Sequence, residues 1–309
     1  MMTPSSIPRP DVSVVIASVE SAHSIDACVR SVRAALEGTR AELLVVDASE
    51  DGSARIAEAQ LGKSGVLRCS PGTLTPELWA IGIARSTGRT IALTTGHFVV
   101  ERTWATSLMS ALEGGHVGAA GYVDLAPEAT ATDCAVFYLR YAGFLRDDQQ
   151  PARRDVVGIP ADNAVYDGDA ARRFVATTGD GFWEVDFHRQ VRAQGGRLAA
   201  VAGATAFYGR SFPFRTIANH RFHHGRHAGA WRVSQKERSA PAMVAAAPLV
   251  PFVLAARAWR HIRPGTPHRR RFVRALPIFL ALASAWAIGE AVGAVGGPPA
   301  ARYPIPTMA

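Results

Sequence analysis

The sequence has few cysteines and lacks the short motifs that identify several common classes of nucleotide enzyme. Its three cysteines, Cys28, Cys69 and Cys134, are widely separated, and no CxxC or Cys/His zinc spacing occurs. This usage is typical of a reduced cytosolic domain rather than of a disulfide scaffold. No GxGxxG follows the first apolar run, and no GxxxxGK[ST] is present. The dinucleotide fingerprint and the P-loop are therefore excluded.

Signals for secretion and for nucleic-acid binding are also missing. Residues 1–10 are polar and rich in proline, without the apolar run of a signal peptide, and we expect them to be disordered. The net charge of +8 fits a nucleic acid, a membrane surface or a phosphorylated substrate equally well. Because RRM, HTH and KH signatures are absent and many arginines lie between apolar segments, we expect no nucleic-acid partner.

The most informative stretch is a strand followed by an acidic turn and a helix. Leu43–Asp47 is apolar and β-branched, which predicts a buried strand, and it ends in Asp47-Ala48-Ser49-Glu50-Asp51-Gly52-Ser53. Ser53 begins a helical pattern, and we expect its hydroxyl to cap that helix. Ligands of open α/β sheets bind at the carboxyl ends of strands, which is where Asp47 and Asp51 lie.

Strands and helices alternate along the first 124 residues. A strand over Asp11–Ser18 and a helix over Ser24–Glu37 complete a β-α-β unit with the strand above. The patterns further predict helices over Pro76–Ser86, Trp104–Leu112 and Phe182–Gly195, and strands over Thr90–Thr94, Val117–Val123 and Leu198–Phe207. Asp133–Arg154 shows no regular period. This order predicts an α/β fold with a mostly parallel sheet flanked by helices.

The last third changes character. Two apolar stretches, Pro241–Ala256 and Ala275–Ala301, flank an Arg-rich linker at residues 257–274. Only the second reaches the length of about 20 residues that a membrane crossing needs. Because cytoplasmic loops collect arginine, we expect Pro241–Ala256 to be re-entrant or interfacial, the linker to face anionic lipid, and only Ala275–Ala301 to cross. The alternative is that both segments are apolar helices of a soluble protein.

Several of these stretches together resemble the family 2 inverting glycosyltransferases of GT-A (Rossmann-like) fold. Val14–Glu20 matches the family's opening strand, Asp47–Ser53 its DxSxDG turn, and Gly82, Ala84 and Gly88 the helix before its metal-site strand. The basic, aromatic segment Arg210–Arg232 resembles membrane-attached members that build exported polysaccharides or glycolipids. Ala285–Glu290 is similar to their C-terminal membrane part.

The resemblance implies a division of the chain. Residues 11–235 would form the glycosyltransferase domain, with a nucleotide-binding half at 11–124 and an acceptor half at 125–235. Residues 236–309 would form membrane-associated helices.

The resemblance also implies roles for individual residues. Aligning the "EDxxL" element of the family puts Glu184 at the position of the catalytic general base, with Asp186 as a second candidate. The other positions divide into nucleotide-binding residues (Ser18, Glu20, Asp47 and Asp51) and acceptor- or phosphate-binding residues (Asn163, Arg210, His224 and Arg226).

The chain departs from the family where a metal ligand is expected. The family's Asp-x-Asp is replaced by Thr95-Gly96-His97, so the first carboxylate is missing. Three alternatives follow: Mg²⁺ or Mn²⁺ held mainly by the diphosphate and His97; neutralisation of the leaving diphosphate by Arg210, His224 and Arg226; or an inactive site.

The expected activity is a hexosyltransferase-type transfer, with inversion, from a nucleotide sugar to an acceptor. The donor would be a UDP-sugar, the acceptor a lipid-linked glycan or a polysaccharide, and the location the cytoplasmic face of the cell membrane. The alternative is a catalytically inactive membrane scaffold with the same fold, because the Asp-x-Asp site is degenerate.

Overall fold

The computed structural model describes residues 8–146, 151–179, 181–209 and 213–297. The described residues group into two compact units. Unit 1 comprises those of Met1–Tyr122 and Arg146–Ala206, and unit 2 those of Val123–Leu145 and Phe207–Arg302.

Nine strands of the described residues form one sheet. They are β1 (Val12–Ser18), β2 (Ala41–Asp47), β3 (Val66–Arg68), β4 (Thr90–Thr95), β5 (Phe98–Val100), β6 (Gly118–Leu125), β7 (Arg153–Val156), β8 (Asn163–Asp167) and β9 (Leu198–Tyr208). Their order is β3-β2-β1-β4-β8-β6-β9-β5, with β7 beside β9. The pairs β3–β2, β2–β1 and β1–β4 are parallel, whereas β8 is antiparallel to β4 and β6.

The described residues also form eleven α-helices. They are α1 (Ile25–Ala35), α2 (Ser53–Leu61), α3 (Thr75–Arg85), α4 (Trp104–Glu113), α5 (Ala131–Tyr141), α6 (Gly168–Thr178), α7 (Glu184–Ala193), α8 (Phe214–Ser234), α9 (Ala240–Ala246), α10 (Val250–His261) and α11 (Pro267–Gly296). The predicted α/β fold with a sheet flanked by helices is confirmed. In unit 1, the first four helices connect strands in the order that the alternating sequence pattern predicts.

Three local predictions need correction. Ser53 does not cap α2: the cap is Gly52, whose φ of +93° places it in the left-handed region that glycine adopts without strain. Asp133–Arg154 is more regular than its pattern indicates, since it contains most of α5 and the start of β7. Only residues 262–266 of the Arg-rich linker lie outside helices, because α10 and α11 extend into it from both sides.

The core of unit 1 lies against the parallel part of the sheet. Fully buried side chains of β1 and β4, such as Val15 and Leu93, join Trp79 of α3 and Phe187 of α7 in one apolar cluster. The indole N–H of Trp79 donates to the carbonyl of Thr94 at 3.0 Å. This bond fixes α3 against the C-terminal end of β4, close to the edge where the strands end.

Unit 2 is built around α11. Helix α8 packs along its C-terminal half, while α5 and α10 contact its N-terminal half. In the apolar stretch Ala240–His261, a 3-10 turn at Ala247–Leu249 that contains Pro248 separates α9 from α10. Both Ala240–His261 and Pro267–Gly296 are long and apolar enough to be candidate membrane spans.

Candidate functional site

The carboxyl ends of three parallel strands define one edge of the sheet in unit 1. Ser18 pairs with Asp47 across β1 and β2, and Ala17 pairs with Thr95 across β1 and β4. Parallel strands in register end together, so the loops that follow them lie side by side. The edge therefore carries two of the predicted nucleotide-binding residues and the position of the missing Asp-x-Asp.

The loops after β1 and β2 are joined by backbone hydrogen bonds to side chains. The N–H of Glu20 donates to Ser49 Oγ at 2.8 Å, and the N–H of Ala22 donates to Asp51 Oδ2 at 2.9 Å. In the other direction, the N–H of Glu50 donates to Glu20 Oε1 at 3.1 Å. Glu20 has a φ of +46°, a conformation that these bonds hold in place. Two loops that are far apart in sequence thus form one surface.

Asp47 organises this surface from beneath. Its carboxylate is only 2% exposed. It accepts hydrogen bonds from the hydroxyls of Ser18 and Ser49 and from the N–H of Ser49. Ser18 is also buried and lies within hydrogen-bond distance of Ser21. In this conformation, Ser18 and Asp47 shape the two loops, and it is the more exposed Glu20 and Asp51 that face solvent.

Asp51 is held in its ionised form. Desolvation alone would raise its pKa, but hydrogen bonds from the Ser53 hydroxyl and from the N–H groups of Ala22 and Ser53 outweigh desolvation and lower the pKa. A carboxylate with a low pKa accepts hydrogen bonds at neutral pH. It therefore suits the hydroxyl or N–H donors of a nucleoside.

The residues at the Asp-x-Asp position do not fit a divalent cation. His97 is buried, and its Nε2 lies 3.2 Å from the carbonyl of Val19. Thr95 supplies a hydroxyl instead of a carboxylate. Mg²⁺ and Mn²⁺ prefer several oxygen ligands, with carboxylates among them. Within the described ranges, no three His, Cys, Asp or Glu side chains are grouped as metal ligands.

Glu184 begins α7 and lies at the same edge of the sheet. The N–H of Phe182 donates to the carbonyl of Pro76 at 2.8 Å, which ties the start of α7 to the start of α3. Helix α3 follows β3, so its N-terminus lies where the parallel strands end. Glu184 and Asp186 are both half-buried in the first turn of α7. A negative charge is favourable at the N-terminus of a helix, which is where both side chains lie.

The structure adds two residues that sequence patterns did not assign, Tyr166 and Asp162. Tyr166 is fully buried, and its hydroxyl lies 3.1 Å from His188 Nε2. Desolvation raises the pKa of this phenol well above its usual value, and the charges of Glu184 and Asp162 add to the shift. Both carboxyl groups therefore lie within electrostatic range of the Tyr166 hydroxyl. Asp162 directly precedes β8, whose Asn163 pairs with Thr94, so this carboxyl lies beside the end of β4.

Asn163 corrects a prediction. It is fully buried, donates to the carbonyls of Tyr122 and Ala204 at 2.8 and 3.0 Å, and accepts from the indole N–H of Trp104. An amide that is enclosed and bonded in this way does not contact an acceptor. Its role is to join β8 to β6, β9 and α4.

The remaining predicted residues belong to the basic segment. Arg210 lies outside the described residues, whereas His224 and Arg226 lie on α8 in unit 2. Burial, followed by the positive charges of Arg221 and Arg140, lowers the pKa of His224 well below its usual value. His224 is therefore uncharged at neutral pH and offers a hydrogen bond rather than a charge. Arg226 donates from Nε to the carbonyl of Gly297 at 3.3 Å.

Comparison with known proteins bears on the fold and on the N-terminal part of the chain. The glycosyl transferase family 2 model matches residues 13–158. No curated protein sequence matches the chain. The crystal structure of S. aureus TarS 1-349 in complex with UDP-GlcNAc is similar at a TM-score of 0.50 and 9% identity. That similarity covers 68% of this chain and 65% of TarS 1-349.

Two further structures are less similar. GalNAc-T7 with UDP, GalNAc and Mn²⁺ has a TM-score of 0.48 and 14% identity over 66% of this chain and 44% of that chain. A mycobacterial protein has a TM-score of 0.47 and 14% identity over 69% of this chain and 72% of that chain. The chain thus spans less than two thirds of the TarS fragment and of GalNAc-T7. Residues 13–158 therefore carry the sequence pattern of glycosyl transferase family 2, on a chain with a GT-A-type α/β fold.

Proposed function

We propose that this protein is an inverting glycosyltransferase that acts at the cytoplasmic face of a membrane. It transfers a sugar from a UDP-sugar to a lipid-linked or polysaccharide acceptor. The observation that carries the proposal is the convergence of two joined acidic loops and a helix-initiating Glu184 on one edge of the sheet. The family 2 pattern of residues 13–158 supports the donor class, and TarS, which has a similar fold, is seen with UDP-GlcNAc.

The joined loops supply the acceptors that a nucleoside needs. Asp51, kept ionised by its hydrogen bonds, accepts from a base N–H or a ribose hydroxyl. Asp47 holds the loop that presents Asp51. Because Glu20 is fixed through Glu50 and Ser49, the surface is organised before the ligand arrives, which lowers the ordering cost of binding.

Glu184 acts as the general base. Its carboxylate removes the proton from the acceptor hydroxyl while the hydroxyl oxygen attacks the anomeric carbon. The new glycosidic bond forms as the bond between that carbon and the diphosphate oxygen breaks, so the nucleoside diphosphate leaves with the electron pair. Attack opposite the leaving group inverts the anomeric centre.

The test is turnover with a panel of UDP-sugars, measured as UDP release by the purified full chain. We expect Glu184→Gln to lower kcat by at least about 100-fold and to leave UDP affinity within about two-fold, because general-base catalysis contributes on that scale. Glu113→Gln, at the far end of α4, is the matched control and should leave kcat unchanged. If Asp186→Asn abolishes turnover while Glu184→Gln does not, the base is Asp186.

A catalytically inactive scaffold is the second candidate, and Thr95-Gly96-His97 is the observation that favours it. Isothermal titration separates the two functions. Binding of UDP-sugars, with or without Mn²⁺, in the absence of any turnover with lipid-linked or glycan acceptors would support the scaffold.

A further inference from the structure

Unit 2 exposes an apolar surface along two of its helices. On α10 and the turn before it, Leu249, Phe252 and Val253 are each at least 60% exposed. On α11, exposed apolar side chains recur with a helical period at positions 273, 277, 281, 288, 292 and 295. At 1.5 Å per residue this stripe is about 33 Å long. We call these positions of α10 and α11 the apolar face.

Helix α8 covers another side of α11 at backbone contact. A Cβ added at Gly225 would lie 2.3 Å from the carbonyl oxygen of Trp286, and one added at Gly289 would lie 2.1 Å from that of Phe222. The pair Gly229 and Gly293 repeats this arrangement one turn later, at 2.1 and 1.9 Å. The contacting pairs advance in the same direction along both helices, from Gly225 against Trp286 to Gly229 against Glu290, so α8 and α11 run parallel. Their separation admits no side chain, and they form one rigid pair.

Helix α8 is too polar for the hydrocarbon of a bilayer. It carries four arginines and four histidines, and it joins α11 through polar contacts as well as glycines. Arg232 forms an ion pair with Glu290, which is 6% exposed, and the Arg221 guanidinium lies 5.1 Å from the centre of the Trp286 ring. A crossing by α11 would take these charges into lipid, where they are costly.

The charges carried by α10 and by α11 before Glu290 are of one sign. No Asp or Glu occurs between Glu237 and Glu290, whereas seven arginines lie within residues 257–274. Trp259 is partly exposed beside them, and the Arg269 guanidinium lies 3.7 Å from the centre of its ring. Arginine and tryptophan beside an apolar face are typical of a helix that lies in the interface of an anionic bilayer.

We propose that α9, α10 and α11 lie in the plane of an anionic phospholipid leaflet, and that α11 does not cross the bilayer. This replaces the sequence-based expectation that Ala275–Ala301 crosses. The inference rests on the proposed membrane association and specifies its geometry: the apolar face enters the leaflet, the arginines contact phosphate headgroups, and α8 stays on the protein side of α11.

Accessibility labelling tests the topology. In a Cys69→Ser background, Val295→Cys places a thiol near the end of α11, and Val157→Cys places one at an exposed position of unit 1. We expect a membrane-impermeant maleimide to label both full-length chains only after the cells are permeabilised with detergent. Labelling of Val295→Cys, but not of Val157→Cys, in intact cells would show a crossing and overturn the proposal.

Flotation with vesicles tests the partner. The purified full chain should bind phosphatidylcholine vesicles that contain one third phosphatidylglycerol at least about ten-fold better than vesicles of pure phosphatidylcholine. About 0.5 M salt should abolish this difference, because it screens the charges. Phe252→Ser should weaken binding several-fold, and the matched control Val157→Ser should not. Equal binding to both vesicles, or none, would refute the inference. Intact vesicle binding without UDP release would instead count against the proposed transferase.

Discussion

Asp47 shows how a residue can be placed correctly from sequence and still have a different contact environment than expected. The pattern of an apolar strand followed by DASEDGS predicts its position at the strand end. It does not predict that Ser18 and Ser49 enclose the carboxylate, because Ser18 comes from another strand that pairs with β2 only in the folded sheet. Exposure of a polar residue depends on such partners, which local sequence does not specify.

We expect Asp47→Asn to weaken UDP binding by at least about ten-fold. Asparagine keeps the shape but has one acceptor oxygen, so hydrogen bonds to Ser18 or Ser49 are lost, at a cost of about 1–3 kcal/mol for the group left unsatisfied. The loop carrying Asp51 then loses its support. Isothermal titration measures the affinity, with the exposed surface variant Glu37→Gln as control. Unchanged affinity would mean that Asp47 does not support the nucleotide surface.

His188 gives unit 1 a dependence on pH. Burial, followed by the charge of Arg192, lowers the pKa of His188 to about 3. The unfolded chain therefore takes up this proton near pH 6.5, before the folded chain does. Stability falls as the pH falls from 6.5 towards 3, by up to about 1.4 kcal/mol per pH unit.

We expect His188→Gln to flatten this dependence, since glutamine keeps a hydrogen-bonding group near Tyr166 but does not titrate. Urea unfolding between about pH 4.5 and 7 measures the slope. Arg189→Lys, on the same helix, should keep the slope of the original protein. If stability depends on pH equally in His188→Gln and in the unsubstituted protein, folding does not lower the pKa of His188.

Among the elements, those with a single apolar stripe were predictable. Helix α1 buries Ile25, Cys28, Val29 and Val32 along one face, and its pattern predicted it within two residues at each end. Helix α5 was missed because Cys134, Val136, Phe137 and Tyr138 are buried around most of its circumference, which removes the period. The capping box of Thr130 and Asp133 was the available sign of its start.

The residues of the candidate site divide in the same way. Glu184 was predictable because a helix start and its stop at Gly195 are local features. Asp162 and Tyr166 were not, because their place beside Glu184 depends on β8 entering the sheet antiparallel to β4. A strand of five residues carries no information about its neighbour. Such pairings require the assembled sheet.

Gly289→Ala tests the contact between α8 and α11. The added Cβ would meet the backbone of Phe222, which cannot move aside as a side chain can. We expect unit 2 to lose about 3 kcal/mol or to fail to fold, as overpacking a tight contact does. Gly296→Ala, on the same helix with open space around it, should be neutral or slightly stabilising, since alanine is the better helix former.

Circular dichroism during thermal unfolding measures both variants. Equal melting temperatures for Gly289→Ala and Gly296→Ala would mean that the two helices do not approach as closely as described. That result would also remove the argument that α8 prevents α11 from crossing a bilayer.

At the scale of the whole molecule, the division into two compact units predicts that the two units respond differently to a nucleotide ligand. We expect UDP at about 100 times its Kd to stabilise unit 1 by about 2.7 kcal/mol and to leave the unfolding of unit 2 unmoved. Because the Thr95-Gly96-His97 position offers no carboxylate, EDTA should leave the shift unchanged. Scanning calorimetry measures both. A shift that requires Mn²⁺ would show that a metal ion does bind with the diphosphate.

The glycine contacts of α8 also set an order of events during synthesis. Helix α8 leaves the ribosome about 60 residues before its partners Trp286, Glu290 and Gly293 are made. Until then its glycine face has nothing to pack on, and its half-buried imidazoles remain in water. Unit 2 is therefore completed only by the last turns of α11. A nascent chain stalled before Trp286 should be a ready target for chaperones and proteases, even when unit 1 has already folded.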